Sequence, residues 1–237
     1  MQKQPIILRR LTIRTDPKDV LRRMGEQDRL VPAGLQRRLN ELVTDPEILA
    51  LIDPVAIFKC FTVVPNEADH SQDPPMLQLE ENRWVEATLI NRQLPGVLSV
   101  AIAFCTIGEQ LERYARQLAQ NHQVLNSFIL DAMGSAAIDN LVIEAGNRIN
   151  SMAESKGLAA SSPLFPGMDG LGLAAQPKFY EMVDAGRIGI RLSSGNVLYP
   201  LKSTSMVMGI GFRMPRWEKK HECARCSMAA TCPYRKT

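Results

Sequence analysis

The stretch LNSFILDAMGSAAIDNLVIEAGNRIN, residues 125–150, has the apolar spacing of one long helix that begins near Gln123 and runs to about residue 156. On a helical wheel of about 100° per residue that starts at Leu125, five further apolar residues lie on the same side as Leu125. They are Phe128, Ile129, Ala132, Ala136 and Ile143, and they define an apolar stripe. Small residues at 134–137 leave space for another element to approach closely. Asp139 falls inside this stripe, so its carboxylate has to be paired, hydrogen-bonded or neutralised. The alternatives are that Asp139 caps a neighbouring element, or that a local change in helix geometry turns it away from the stripe.

Shorter elements are predicted on both sides of this helix. Upstream, the patterns predict five strands, at 6–13, 55–64, 77–79, 84–90 and 97–104. They also predict four helices: one that begins at Asp16-Pro17, one at 32–43, one that begins at Asp45-Pro46, and one at 108–120. Downstream, they predict a loop at 161–172, a helix at 176–184, and strands at 188–192 and 203–211. No linker is long enough to require two independent domains.

The overall composition limits the class of protein. The chain has 237 residues, of which 45% are hydrophobic and 22% charged, and this excludes an intrinsically disordered protein. Aromatic residues make up only 5% while there are eleven methionines, so we expect an aliphatic, helix-rich core. No apolar run reaches the roughly 18 residues of a membrane span, and the first residues lack an export signal. We therefore expect a cytoplasmic protein without a membrane partner.

The positive charge is concentrated at the end of the chain. From Arg213 onward there are seven basic and two acidic residues, so that of the total net charge of +3 the tail carries +5 and the rest −2. Three of the five cysteines lie in the same segment, whereas Cys60 and Cys105 lie in apolar stretches and are expected to be buried. This predicts a main domain at 1–212 and a basic, cysteine-rich tail at 213–237.

The tail has the spacing of a metal site. Cys223 and Cys226 are separated by two residues, which holds two thiolates close enough to bind one metal, and Cys232 supplies a third. With His221 as the fourth ligand the metal would be zinc, and an iron–sulfur cluster held by three thiolates fits equally well. A redox pair and surface thiols without a function are the alternatives. Few aromatic residues interleave the basic ones, so nucleic acid is an unlikely partner.

An ordered set of short segments resembles a known family. The segments are 19–25, 106–108, 111–112, 129–135, 166–167, Gln176, Phe179, 188–192 and 200–205. In order and spacing they resemble the activation domain of cobalamin-dependent methionine synthase and its free-standing relatives in anaerobes. The resemblance covers nearly the whole chain.

The resemblance implies both a fold and a function. It implies an α+β fold, in which a single domain combines a twisted, mainly antiparallel sheet with long helices. It implies an accessory protein of corrinoid-dependent methyl transfer, which binds S-adenosylmethionine and presents its methyl group to cobalamin carried by a partner. The partner would be a corrinoid protein or a cobalamin-dependent methyltransferase, with an electron donor as a further partner, and any enzymatic activity would be of the methyltransferase type. The family's acidic residue on the long helix falls at or next to Asp139, so the resemblance implies that Asp139 contacts the S-adenosylmethionine.

The family's binding loop, Arg-x-Ser/Ala-Pro-Gly-Tyr, matches residues 163–168, so Pro166, Gly167 and Met168 are predicted ligand contacts. Pro163 and Met168 stand where the family has arginine and tyrosine. Loss of the arginine removes a charge-assisted pair with the ligand carboxylate, which contributes about 1.5–3 kcal/mol. The alternative function is therefore a non-catalytic zinc- or iron–sulfur-binding scaffold of the same fold that has lost S-adenosylmethionine binding.

Overall fold

A computed structural model describes residues 4–25, 31–65 and 75–216, together with Ala230. The predicted metal ligands His221, Cys223, Cys226 and Cys232 lie outside these described residues. No helix of the described chain is long and apolar enough to cross a membrane.

Seven α-helices are described, and two of them begin at the predicted Asp-Pro caps. They are α1 (Pro17–Arg23), α2 (Ala33–Thr44), α3 (Pro46–Leu49), α4 (Thr88–Gln93), α5 (Gln110–Gln120), α6 (Val124–Glu154) and α7 (Gln176–Val183). The side chain of Asp16 accepts a hydrogen bond from the backbone of Lys18, and Asp45 accepts from Glu47 and Ile48, so both aspartates cap the helices that follow them. Each is followed by a proline in the first turn, where its fixed φ suits the helix.

The main sheet has five antiparallel strands in the order β1-β2-β5-β9-β6. These strands are β1 (Ile6–Leu8), β2 (Val55–Thr62), β5 (Ser99–Thr106), β6 (Ala159–Ala160) and β9 (Ser203–Gly211). Two hairpins stand apart from the sheet, formed by β3 (Met76–Leu79) with β4 (Arg83–Glu86) and by β7 (Arg191–Leu192) with β8 (Leu198–Tyr199). The predicted α+β fold, a single domain with a mainly antiparallel sheet, is confirmed.

The sheet separates two hydrophobic cores. Ile6, Phe58, Ala103 and Met206 lie side by side across four strands and face α1, α2, α5 and α6. Their neighbours along the strands, such as Ile57 and Phe104, face α4, α7 and the two hairpins. Because successive side chains of a strand point to opposite faces, strands that are buried on both faces read as continuous apolar runs in the sequence.

The predicted apolar stripe of α6 is partly wrong. Leu125, Phe128 and Ile143 are about half exposed, whereas Leu130, Met133, Ala137 and Leu141 are fully buried on another side of the helix. The helix packs against the sheet, α1 and α5 together, so it is buried around much of its circumference and no single stripe describes it. Asp139 lies at the side that faces α1, not in the centre of the core.

Three predicted strands are shorter in the structure. The first ends at Leu8 and not near residue 13. The strand predicted at 84–90 ends at Glu86, and the helix α4 begins at Thr88. Within 188–192 only Arg191 and Leu192 are strand, because residues 185–188 form a 3-10 turn that Gly189 ends with a positive φ of 80°. In the second of these segments the apolar residues Leu89 and Ile90 are buried in a short helix, and beside the third Ala185 is buried in the 3-10 turn, so tertiary packing overrides strand propensity.

Candidate ligand site

Asp139 is paired with an arginine of another helix. The Nε of Arg23, in the last turn of α1, lies 3.0 Å from Oδ2 of Asp139, and Nη2 of the same guanidinium also donates to that oxygen. Both side chains are partly buried, with 20% of Asp139 and 28% of Arg23 exposed. The expectation that this carboxylate is paired is therefore met, and its partner comes from the segment 19–25 that belongs to the resemblance.

The turn at Pro166-Gly167 is held by its own short contacts. The amide of Gly167, at a φ of 97°, donates to the carbonyl of Leu171 over 2.7 Å, and the amide of Leu171 donates back to Met168. Leu164 is bridged to Val207 of β9, so the turn extends the edge of the main sheet. Met168 and Leu173 are about half exposed, and the Leu173 side chain lies beside Gly167. The predicted contacts Pro166, Gly167 and Met168 thus form a compact apolar turn at the sheet edge.

A partly buried lysine connects α6 to the segment before β9. The Nζ of Lys202 lies 2.7 Å from Oδ1 of Asp131 and 2.9 Å from Oγ of Ser135. Between these two residues, a Cβ at Gly134 would lie only 3.2 Å from two carbons of the lysine stem. The small residues of α6 were predicted to let another element approach, and that element is the side chain of Lys202.

Further hydrogen bonds fix the same segment. Glu112 on α5 accepts a hydrogen bond from the amide of Leu201, and Ser203 donates to Thr106 at the end of β5. Ser205 donates to the buried side chain of Gln176, which itself donates to the carbonyl of Asn196. The residues that carry the resemblance are therefore largely those that hold residues 196–205 against α5, α6 and α7.

A cavity of about 360 Å³ opens beside this fixed segment. Its lining comes from three separate stretches of the chain, residues 106–109 after β5, residues 188–191 between α7 and β7, and Pro200. Gly108 and Gly189 both have positive φ, at 76° and 80°, and this allows the backbone to turn away at the wall of the cavity. The volume falls within the range of about 300–1,000 Å³ that is common for small-molecule sites.

Charged groups stand at the rim of this cavity. The guanidinium of Arg191 has no hydrogen-bond or ion-pair partner among the described residues. Glu109, on the opposite stretch, is paired with Arg113 one turn later on α5, and both are exposed. Arginine is the side chain best suited to hold a carboxylate or phosphate, because its donors form a planar fork. The site can therefore hold a small ligand that carries a carboxylate or phosphate.

The two cysteines of the main domain are not part of this site. Burial raises the pKa of the Cys105 thiol to about 12 and that of Cys60 to about 11. Cys105 is fully buried, as predicted, while Cys60 is only partly buried. Within the described ranges no cluster of three or more His, Cys, Asp or Glu side chains could hold a metal. The predicted metal site lies in the tail outside these ranges and stays a prediction.

The fold is similar to a solved one. The comparison with known structures finds a crystal structure of the MetH reactivation domain bound to AdoHcy, with a TM-score of 0.57. The alignment covers 86% of this chain and 78% of that one, at 10% sequence identity. No family model matches the sequence, and no curated protein matches it. At this identity the likeness establishes a relationship of fold with the reactivation domain and not membership of its family.

Sequence reasoning includes the three stretches that line the cavity in the resemblance but assigns none of their residues, Arg191 among them, to a ligand. Residues 106–108, 188–192 and 200 all belong to the resemblance, yet only the fold places them side by side. No local pattern distinguishes Arg191 from other arginines, since its strand is only two residues long. The one feature of the sequence that could have drawn attention to Arg191 is its position, shortly after Gly189 and within a predicted strand segment.

Proposed function

We propose that the protein is an accessory protein of corrinoid-dependent methyl transfer that binds S-adenosylmethionine, or its demethylated product S-adenosylhomocysteine, in the cavity beside Arg191. The observation that carries this proposal is the convergence of three separate stretches of the resemblance on one ligand-sized cavity. The fold likeness to a reactivation domain with AdoHcy bound supports it independently. The proposed partner is a corrinoid protein or a cobalamin-dependent methyltransferase, with an electron donor acting in the same system.

The residues at the cavity fit such a ligand. S-Adenosylmethionine has a carboxylate and an ammonium at its amino-acid end, and when bound it supplies a methyl group on a positively charged sulfur. In the proposed arrangement the guanidinium of Arg191 holds the carboxylate, in place of the arginine that the family has at position 163. Glu109 lines the same cavity with its carboxylate paired to Arg113, and the backbone at Gly108 and Gly189 leaves space for the ligand.

The other predicted contacts have a secondary place in this proposal. Asp139 is held by Arg23, so its negative charge is already compensated within the protein. Pro166, Gly167 and Met168 form the apolar edge turn, and their contact with a ligand stays a prediction. The tail ligands Cys223, Cys226, Cys232 and His221 are proposed to bind zinc or an iron–sulfur cluster that assists docking or electron transfer.

The test is a calorimetric titration of the anaerobically purified full chain with S-adenosylmethionine and with S-adenosylhomocysteine. We expect both to bind, and we expect Arg191→Ala to weaken binding by about ten- to a hundredfold, because a charge-assisted pair is lost. Arg187→Ala is the matched control, since Arg187 is an exposed arginine in the preceding turn that does not line the cavity. Absence of binding at millimolar ligand would contradict the proposal, as would equal affinities of the two variants.

A second candidate function is a metal-binding scaffold of the same fold that no longer binds S-adenosylmethionine. Two observations favour it, the replacement of the family's loop arginine and tyrosine by Pro163 and Met168, and the pairing of Asp139 with Arg23. In this case the titration shows no binding of either ligand while the tail still carries metal. Measuring the metal content and the affinity on the same preparation separates the two functions.

A further inference from the structure

A second cavity, of about 200 Å³, lies beside the carboxyl-terminal end of α6. It is enclosed between strands β1 and β2 and the last turns of α6, and its walls are mostly apolar. The side chains that define it are Ile6, Phe58, Ile149, Met152, Leu158 and Ile210. It shares no lining residue with the cavity beside Arg191, so it is a separate site.

The chain reversal after α6 shapes this cavity. Gly157 has a φ of 71°, and the amide of Leu158 donates back to the carbonyl of Ala153, so the chain folds over the last turn of the helix. Asn150 fixes the returning chain, because its Oδ1 accepts from the amide of Ala160 in β6 over 3.0 Å. The reversal places Leu158 in the wall and Lys156 at the rim.

Two lysines, Lys156 and Lys59, belong to the lining of this cavity. The ammonium of Lys156 has no hydrogen-bond or ion-pair partner within the part of the chain that the structure describes. Burial raises the pKa of the Cys60 thiol, and the charge of Lys156 opposes this in part, so the ammonium acts on a side chain of the same lining. The second lysine of the lining, Lys59, is instead paired with both carboxylate oxygens of Glu81 at 3.0 Å. Lys156 is therefore the group that is available to an anionic ligand.

We infer that this cavity is a binding site for a small apolar monocarboxylate, with the hydrocarbon part in the cavity and the carboxylate at Lys156. An apolar cavity of about 150 Å³ accommodates a molecule of the size of benzene, so about 200 Å³ suits a body of roughly six to eight carbons. The apolar walls favour hydrocarbon over water, and the single unpaired ammonium favours one negative charge. This inference does not depend on the proposed function.

The probe is hexanoate, with neutral hexan-1-ol as its matched control, titrated into the full chain by calorimetry. We expect hexanoate to bind in the millimolar range or tighter, and hexan-1-ol to bind about two- to fivefold more weakly, because it lacks the charge pair with the exposed ammonium. Lys156→Gln is expected to remove this difference between the probes. Lys178→Gln, at an exposed lysine on α7, is expected to leave it unchanged.

The location of the ligand is tested separately. Bound hexanoate is expected to slow alkylation of Cys60, measured by peptide mapping, because this side chain lines the cavity. Ala153→Leu fills the cavity from the buried face of α6 and is expected to abolish binding. If that variant does not fold, the inference is tested by the protection of Cys60 from alkylation and by the loss of the difference between the two probes in Lys156→Gln. Lack of hexanoate binding, binding without protection of Cys60, or equal binding of the two probes would each overturn the inference.

Discussion

Arg23 of α1 and Asp139 of α6 form an ion pair between residues that are 116 positions apart in the chain. The pair joins the first helix to the long central one at the border of the helical core, where both side chains are only partly exposed. It converts a carboxylate that the sequence marks as a candidate ligand contact into a group with a partner inside the protein. Its stabilising role and a ligand-binding role predict different results on mutation.

Removal of either member of this pair is expected to destabilise the protein. Asp139→Asn or Arg23→Gln leaves a partly buried charge without its partner and should lower the free energy of unfolding by about 1.5–3 kcal/mol. The double variant should lose less than the sum of the two single losses, since the two residues interact directly. Urea unfolding of the four proteins measures this coupling. Additive losses, or a loss of ligand affinity without a loss of stability, would indicate that Asp139 acts on a ligand.

Two glycines of α6 are expected to respond in opposite directions to alanine. Gly146→Ala should stabilise the protein by about 0.5–1 kcal/mol, because alanine is the better helix former and its Cβ would meet Met208 at an ordinary distance of 3.6 Å. Gly134→Ala should destabilise it by about 1 kcal/mol, since its Cβ would lie 3.2 Å from the Lys202 side chain.

Lys202 cannot move away freely, because its ammonium is held by both Asp131 and Ser135. Thermal unfolding of the two glycine variants side by side tests the prediction, and Gly146→Ala serves as the control for helix propensity. The double variant Gly134→Ala with Lys202→Ala should recover part of the loss from the Cβ contact. Equal stabilisation by both single alanines would show that the Lys202 side chain does not constrain the helix.

The buried thiols are expected to make stability fall at high pH. Unfolded thiols titrate near 9.0, whereas burial raises the pKa of Cys105 to about 12 and that of Cys60 to about 11. Below pH 9 both states keep their protons and the stability is complete; above it the unfolded state loses protons first, and stability declines until the folded thiols ionise. For Cys105 the loss between pH 9 and 12 is about 3–4 kcal/mol.

Urea unfolding at a series of pH values between 8 and 11 measures this decline. Because lysines and tyrosines also titrate in this range, the informative quantity is the difference in slope between the wild type and Cys105→Ala. The variant is expected to lose less stability per pH step, whatever its absolute stability. Parallel curves for the two proteins would mean that the Cys105 thiol keeps an ordinary pKa.

The tail is expected to carry metal through its three cysteines. Cys226→Ala should abolish metal binding, measured by elemental analysis of the anaerobically purified protein, because it removes the central thiolate of the set. The matched control is Cys60→Ala, which removes a thiol of the main domain and should leave the metal content unchanged. Visible absorption distinguishes the two metals, since an iron–sulfur cluster absorbs and zinc does not. An unchanged metal content in Cys226→Ala would reject the tail site.

Much of the fold could be predicted from the sequence, because local signals there agree with the packing. Asp16-Pro17 and Asp45-Pro46 act as caps at the predicted positions, and the apolar runs at β2, β5 and β9 are strands. The apolar face of α6 was placed partly wrong, since a helix covered on several sides has no single stripe. Short elements such as α4 and the turn at 185–188 were missed, because their burial and not their propensity determines their conformation.

The sequence by itself determined the class of fold, the caps, the concentration of charge and cysteines in the tail, and the need for a partner at Asp139. Only the tertiary structure decided that this partner is Arg23, that the small residues of α6 receive Lys202, and that Arg191 lines a cavity. The physical reason is how far apart in the chain the interacting residues are. Caps and periodicity depend on neighbours within a few residues, whereas ion pairs and cavities depend on segments that only the packed sheet and helices bring together.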